Sequence, residues 1–317
     1  MRRAVFCFGI LALAMCSFLP AATLYVDASA PAGGNGQAWS TAFTDLQAAL
    51  DIAQSGDEIR VAHGTYKPTK QTNPPNPRSA MFQLISGTTL KGGYAGVAGP
   101  DPDARDFTAH ETILSGDLNG DDDPTKALND PARNNEENCY RIINGETDIS
   151  GFTIEGGNAN GALCSFGAAI GDGGSGGIIL DCTFRGNHGD GDGGAISATG
   201  NVQIIRCKFF DNHANCGGAI YSTSSIALIE RCLFSQNSAS SNGGAVRFYA
   251  NSYSVTVENS IFLGNTSTDG AAIDFGVVGI SPHVVNCTFY GNSATNAGGG
   301  DLQPVRQPHP HQPHLLG

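Results

Sequence analysis

The chain has 317 residues, with 29 acidic side chains against 17 Lys and Arg and a formal net charge of −12. That balance excludes nucleic acid and anionic membrane surfaces as electrostatic partners. Forty-three glycines, one Trp and 15% charged residues do not suit a helical enzyme core. They suit a chain of many tight turns, because glycine reaches backbone angles that other residues avoid.

In chain order, residues 1–22 come first. Arg2 and Arg3 precede an apolar run from Ala4 to Phe18, and small residues follow at Ala21 and Ala22. This is the pattern of a secretory signal peptide. No later segment is apolar for the ~18 residues a membrane helix needs. The expected product is therefore exported, either secreted or held at the outer cell surface, with no membrane-spanning segment in the mature chain.

Residues 23–57 read as an N-terminal cap. A strand at 24–27 precedes a helix capped by Ser40 or Thr41, with Phe43, Leu46, Leu50 and Ala53 on one face. A solenoid must cover its first coil, and an amphipathic helix can do so. The body is expected over 58–300, starting with a strand at 58–61. Further strands at 85–94, 140–143 and 149–154 belong to less regular coils. Between them, the stretch around 95–138 is rich in Asp, Asn and Pro and reads as one long loop excursion.

Beyond residue 180 a repeat takes over. FxxN occurs at 184–187, 209–212, 234–237, 262–265 and 289–292, so its asparagines are spaced by 25, 25, 28 and 27 residues. Interleaved with it are GGAI at 193–196 and 217–220, GGAV at 243–246 and a degraded GAAI at 270–273. A fixed period in the twenties marks a solenoid; it is too short for a propeller blade, and the leucine pattern of leucine-rich repeats is missing. Each coil also places an apolar residue (Ile179, Ile204, Ile229, Val257, Val284) three positions before a Cys or Ser. Three short strands and three bends per coil follow from this template. The asparagine is expected at a bend where its side chain bonds backbone groups and tolerates a left-handed conformation, with the in-phase asparagines stacked into a ladder, and the glycine pair at another bend. The fold class is all-β: a right-handed parallel β-helix of three strands per ~25-residue coil, with an N-terminal capping helix. Residues 301–317, reading DLQPVRQPHPHQPHLLG, contain nothing that could close a core and are expected to be a disordered or truncated tail.

Nine cysteines are present, and Cys7 and Cys16 fall in the leader, which leaves an odd number, seven. Cys182, Cys207, Cys232 and Cys287 keep the repeat phase, with Ser260 at the matching place in the remaining coil. Such residues read as free thiols stacked in the core. Should a bridge exist, Cys139 and Cys164 are the expected pair.

These motifs resemble a known family. Alternating GGA[ILV] and FxxN are the two repeat motifs of the polymorphic outer membrane proteins. The segments LYVDASAPAGGNGQAWSTAFTDLQAALD, EIRVAHGTYKPT, GGYAGV, ILSGDLNGDDD and GFTIEGGNANG are similar to secreted β-helix proteins grouped with them. The resemblance implies a pectin-lyase-like β-helix, exported and surface-exposed, with adhesive or display roles towards a polysaccharide or another cell-surface ligand. Many members end in a β-barrel or sorting domain, which is not visible in this sequence.

No catalytic or cofactor-binding residue is assigned. The metal candidate is the loop Asp117, Asn119, Asp121, Asp123, whose oxygen ligands at positions 1, 3, 5 and 7 follow the calcium-loop pattern. Leu128 stands where a bidentate Glu belongs, and an acidic surface turn is the competing reading. Calcium is the one cofactor considered. His188, Asp190 and Asp192 with Asp211 and His213 gather near one bend, but Ser238, Thr266 and Ser293 occupy the same column as the histidines. Arg206 and Arg231 share theirs with Asp181, Asn259 and Asn286. Solvated corners explain both columns. The expected function is that of an exported, adhesin-like or surface-display scaffold that binds glycans. The alternative is a polysaccharide lyase or glycoside hydrolase on the same fold, because fold alone does not decide function.

Overall fold

The computed structural model describes residues 20–128, 130–146, 148–161, 166–173, 176–223, 226–249, 255–276 and 282–297. Most of the expected leader, the tail at 301–317 and Cys164 lie outside them. Every ladder between the strands is parallel, and equivalent strands of successive coils pair in register. Four sheets result, of nine, eight, six and seven strands.

One coil shows the path. Strand Gly176–Leu180 is followed by Thr183–Arg185, then His188–Gly189, then Ile196–Ala198. From strand Asp148–Ser150 onward each coil thus has a fourth short strand beyond the three expected, which the earlier coils lack. It lies between the asparagine and the glycine pair, as in His213–Cys216, Ser238–Asn242 and Thr266–Asp269. Its buried inward residues are small, Ala214, Ala239 and Ser267, so it carries no β-branched signature to read.

The corners are single residues in the left-handed region. One column is Asp181, Arg206, Arg231, Asn259 and Asn286, with φ from 52° to 54°; the next is Gly186, Asp211, Gln236, Gly264 and Gly291, with φ from 52° to 65°. The second column lies one residue before the FxxN asparagine, so the left-handed residue precedes the position expected for it, while the expected asparagine ladder is present. Asn187, Asn212, Asn237 and Asn265 are fully buried. Asn212 Nδ2 donates to Asn237 Oδ1 (2.9 Å) and to the Phe184 carbonyl of the preceding coil (3.1 Å). Its own Oδ1 accepts from the backbone N–H (3.1 Å) and Nδ2 (3.0 Å) of Asn187. The ladder runs from Asn187 to Asn292 and satisfies its amides internally, as burial requires.

Beside this ladder, Phe184, Phe209, Phe234, Phe262 and Phe289 stack with ring centroids 4.7–4.9 Å apart and planes within 6° of parallel. Cys182, Cys207 and Cys232 are buried free thiols, and Cys287 is half-buried. Cys207 and Cys232 each donate to a carbonyl of the preceding coil, Ile179 and Ile204, at 3.4 Å. Cys139 is also a buried free thiol, and burial pushes it up to about 12.

The glycine pair divides two tasks. Gly193, Gly217 and Gly243 have φ of 63° to 76°. Gly194 and Gly218 leave room for the next coil: a Cβ there would collide with the carbonyl oxygens of Gly218 and Gly244. An earlier degraded repeat, Gly167-Ala168-Ala169-Ile170, completes the column, with Ile170 paired to both Ile143 and Ile196.

Upstream, the helix is only Leu46–Leu50, capped by Asp45 (Oδ1 accepting from Gln47 N, 3.0 Å). Ser40 and Thr41 belong instead to a short 3-10 turn, Trp39–Thr41, and Phe43 forms a parallel bridge with Val26. Leu46 and Leu50 still join the continuous core. The single excursion expected around 95–138 is interrupted by strand Thr112–Ser115, which pairs with Gly64–Tyr66 on one side and Thr153–Glu155 on the other. What overhangs the solenoid is the loop between Ser115 and Ile143.

Candidate functional site

The overhanging loop is held to the second corner column by side chains that reach across. Asn138 Nδ2 donates to the Gly156 carbonyl (2.7 Å) and to Asp122 Oδ2 (2.9 Å), and Asn158 Nδ2 donates to the Asn135 carbonyl (2.7 Å). Gly156 and Gly186 carry no side chain, so the loop descends there. Further along, Asp211 and Gln236 fill the same column, and a cavity of about 950 Å³ opens between loop and coils. Its roof is Pro124, Thr125, Lys126, Ala127, Leu128 and Arg133; its floor runs from Glu155 through Arg185 and Asp211 to Gln236, with His213 and Ser238 alongside.

Burial pushes the Asp122 carboxyl up to about 6, with Asp117 and Asp121 adding repulsion and the Asn138 amide opposing. Across the cavity, burial also raises Asp211, opposed by the Arg133 charge. Arg185 pairs with Glu155 and, at 3.5 Å, with Glu111. His213 Nδ1 lies 2.8 Å from Ser238 Oγ, and its ring meets that of His188 edge-on at 5.2 Å. Burial lowers both histidines, and His188 adds to the effect on His213.

The metal candidate is rearranged relative to the sequence pattern. Carboxylate oxygens of Asp117, Asp121 and Glu137 lie within 4.8 Å of one another. Asp123 falls outside this group of carboxylates. Asp123 is occupied by the Thr125 N–H (2.9 Å) and hydroxyl (2.6 Å), and Asn119 is exposed. Asp117 also accepts backbone N–H groups from Gly120, Asp121 (3.3 Å) and Asp122 (3.3 Å). Glu137 lies far beyond position 12 of the loop, so local spacing could not reveal it. Asp122 Oδ1, Glu137 Oε1 and Asn138 Oδ1 are buried without hydrogen-bond partners among the described residues.

The other carboxylate candidates disperse. His188 Nε2 lies 3.4 Å from Asp190 Oδ1, whereas Asp192 is bridged to Cys216, at the far end of the strand that His213 opens. Arg206 is held by Asp181 at 2.7 and 2.8 Å, and Arg231 by Glu230 at 3.0 Å. Those arginines are ion-paired corners with no free base among them.

Parallel coils with stacked Phe and Asn ladders, carrying a polar cleft under an overhanging loop, define a β-solenoid. Three of its segments, residues 181–199, 206–223 and 231–248, match the family model of the Chlamydia polymorphic membrane protein (Chlamydia_PMP) repeat. Among solved structures, the chain is similar to one described as the crystal structure of pectate lyase Pel9A. The identity is 12%, covering 89% of this chain and 79% of that one, with a TM-score of 0.26. That likeness bears on neither activity nor substrate. No curated protein matches the chain significantly. No helix among the described residues is long and apolar enough to cross a membrane.

Proposed function

We propose that this protein is an exported, adhesin-like scaffold displayed at the cell surface, and that the cleft under the overhanging loop binds glycans. The supporting observation is the cavity of about 950 Å³, walled by carboxylate, amide, hydroxyl and imidazole groups. Sugar hydroxyls need such partners. The repeat family, one of surface-exposed membrane proteins, favours the surface location. Two measurements test the reading. A protease or a membrane-impermeant label applied to intact cells should reach the protein. On a broad panel of immobilised neutral and acidic glycans, the wild-type chain should bind a subset, and Ala127→Trp, which fills the exposed mouth, should lose about tenfold or more. Uniform failure to bind, or binding indifferent to Ala127→Trp, would remove the cleft from the proposal.

Calcium at Asp117, Asp121 and Glu137 is part of the same reading. The ion would neutralise the cluster and fix the overhang. Millimolar calcium should raise Tm by about 2–4 °C over EDTA, and Glu137→Gln should abolish the increment. An unchanged Tm would leave an acidic turn.

One observation favours the hydrolytic alternative: Asp122 and Asp211, on opposite walls of one cavity, are both raised, and a raised carboxyl can act as general acid. New reducing ends released from any panel glycan, lost in Asp211→Asn, would establish it.

A further inference from the structure

Arg133 is 9% exposed and sits in the roof of the cavity. A guanidinium carries five N–H donors. Only Nη1 is engaged among the described residues, donating to the Lys126 carbonyl at 2.9 Å. Nε is buried with no partner, and Nη2 points at the Gly186 corner, 3.0 Å from where a methyl on that glycine would sit. The backbone fixes the residue on both sides, through Arg133 N to the Asp130 carbonyl (2.9 Å) and Asp123 N to the Arg133 carbonyl (2.8 Å).

Several other arginines are matched to acids, Arg185 to Glu155 and Glu111, Arg206 to Asp181 and Arg247 to Asp274, while Arg78 and Arg105 direct Nε and Nη2 to carbonyl and side-chain oxygens. Arg133 forms no ion pair among the described residues, although Asp122 and Asp211 line the same cavity. A buried cation with no carboxylate in direct contact is costly, and an incoming anion that bonds it relieves that cost. Planar oxyanions also match the guanidinium fork.

We propose that the cavity seats a sugar-borne oxyanion, the carboxylate of a uronate or a sulfate ester, on the Arg133 guanidinium above the Gly186 corner, so that the ligand of the cleft is an acidic glycan. This rests on the glycan-binding reading above. Exposed Lys126 adds a second positive charge at the mouth. Asp211, Gln236 and Ser238 offer hydrogen-bonding groups to the rest of the ligand. From Glu155 to Gln236 the floor crosses three coil intervals of ~4.8 Å, about 14 Å, so the site is elongated along the stack.

The test uses the wild-type chain in EDTA with matched ligands: polygalacturonate oligomers against their carboxyl-reduced neutral form, and heparin oligosaccharides against their desulfated form. Calorimetry should show at least one acidic form binding about tenfold or more tighter than its neutralised partner. Loss on carboxyl reduction assigns the carboxylate, and loss on desulfation assigns the sulfate. Arg133→Gln should remove that preference, Arg133→Lys should restore part of it, and exposed Lys126→Gln should cost about threefold. If Arg133→Gln misfolds, the matched pairs on the wild-type chain still decide. Equal binding of acidic and neutral forms overturns the Arg133 assignment and leaves the glycan cleft standing. No binding to any glycan overturns both.

Discussion

At the scale of residues, stability concentrates in groups that repeat in phase. Asn237 is fully buried and engaged at both ends: Nδ2 donates to the Phe209 carbonyl and to Asn265 Oδ1, both at 3.0 Å, and Oδ1 accepts from Asn212 N at 3.2 Å and Asn212 Nδ2 at 2.9 Å. Asn237→Ala leaves buried partners in two coils unsatisfied and should cost on the order of 3 kcal/mol in denaturant unfolding. Asn237→Asp should be no better, because it cannot donate to the Phe209 carbonyl. If the aspartate variant matches wild type, the ladder contributes less than its geometry implies. The histidine pair sets a pH response. Burial holds His188 and His213 below the ordinary imidazole value, so folding favours their neutral forms. The unfolded chain takes up protons first as pH falls through about 6.5, and stability is lost below that point. In the same column, later coils carry Ser238, Thr266 and Ser293. The double variant His188→Ser, His213→Ser should therefore lose about 2–4 °C less of Tm than wild type between pH 7 and pH 5. Parallel pH slopes in the two proteins would show that the rings titrate freely.

At the scale of elements, what could be read depended on recurrence. The Phe, Cys, Asn and Gly-Gly columns each appear several times at one period, so their phase was plain, as was the inward direction of Phe and Cys. The fourth strand escaped because Ala214, Ala239 and Ser267 are small inward residues with no β-branched signal. Strand Thr112–Ser115 escaped because it is four residues inside a polar stretch, anchored by its neighbours: Thr112 Oγ1 donates to the Ala62 carbonyl (3.2 Å) and accepts from Gly93 N (2.8 Å). The left-handed corner was placed one residue late, since asparagine tolerates that conformation and here serves a buried ladder instead. Of the candidate site, Asp117 and Asp121 were legible as a local acidic pattern. Glu137, Arg133 and the cavity were not, because chain excursion and coil corner meet only in the folded molecule. The glycine pair yields the test for this scale. Ala168 and Ala271 occupy its second position in two irregular coils, whereas a methyl on Gly218 would strike the carbonyl oxygens of Gly244 and Ser238. Gly218→Ala should cost about 1–3 kcal/mol by forcing coils apart. A neutral result would mean the coil spacing adjusts without loss.

For the whole molecule, contacts run almost wholly between adjacent coils, so stability is a sum over neighbours with no distant brace. One core extends from Leu24 to Ile273 without a break, and the Phe stack is its most regular part. Phe234 touches Phe209 and Phe262, each at 4.7 Å between centroids. Phe234→Ala removes both contacts and opens a cavity that the stacked backbone cannot collapse, at a cost of about 3–5 kcal/mol. In a neighbour-coupled molecule that loss has a location. Amide exchange should quicken in strands Lys208–Phe210, Leu233–Ser235 and Ile261–Leu263, while Glu58–Ala62 and Thr89–Tyr94, several coils away, keep their wild-type protection. A uniform rise in exchange from end to end would instead show one cooperative unit, in which the N-terminal coils and the overhanging loop unfold with the repeats. The cleft's response separates the two cases as well. With local coupling, the glycan binding proposed at Asp211 and Gln236 should weaken together with the damaged stack, whereas the calcium binding proposed at Asp117, Asp121 and Glu137 should persist.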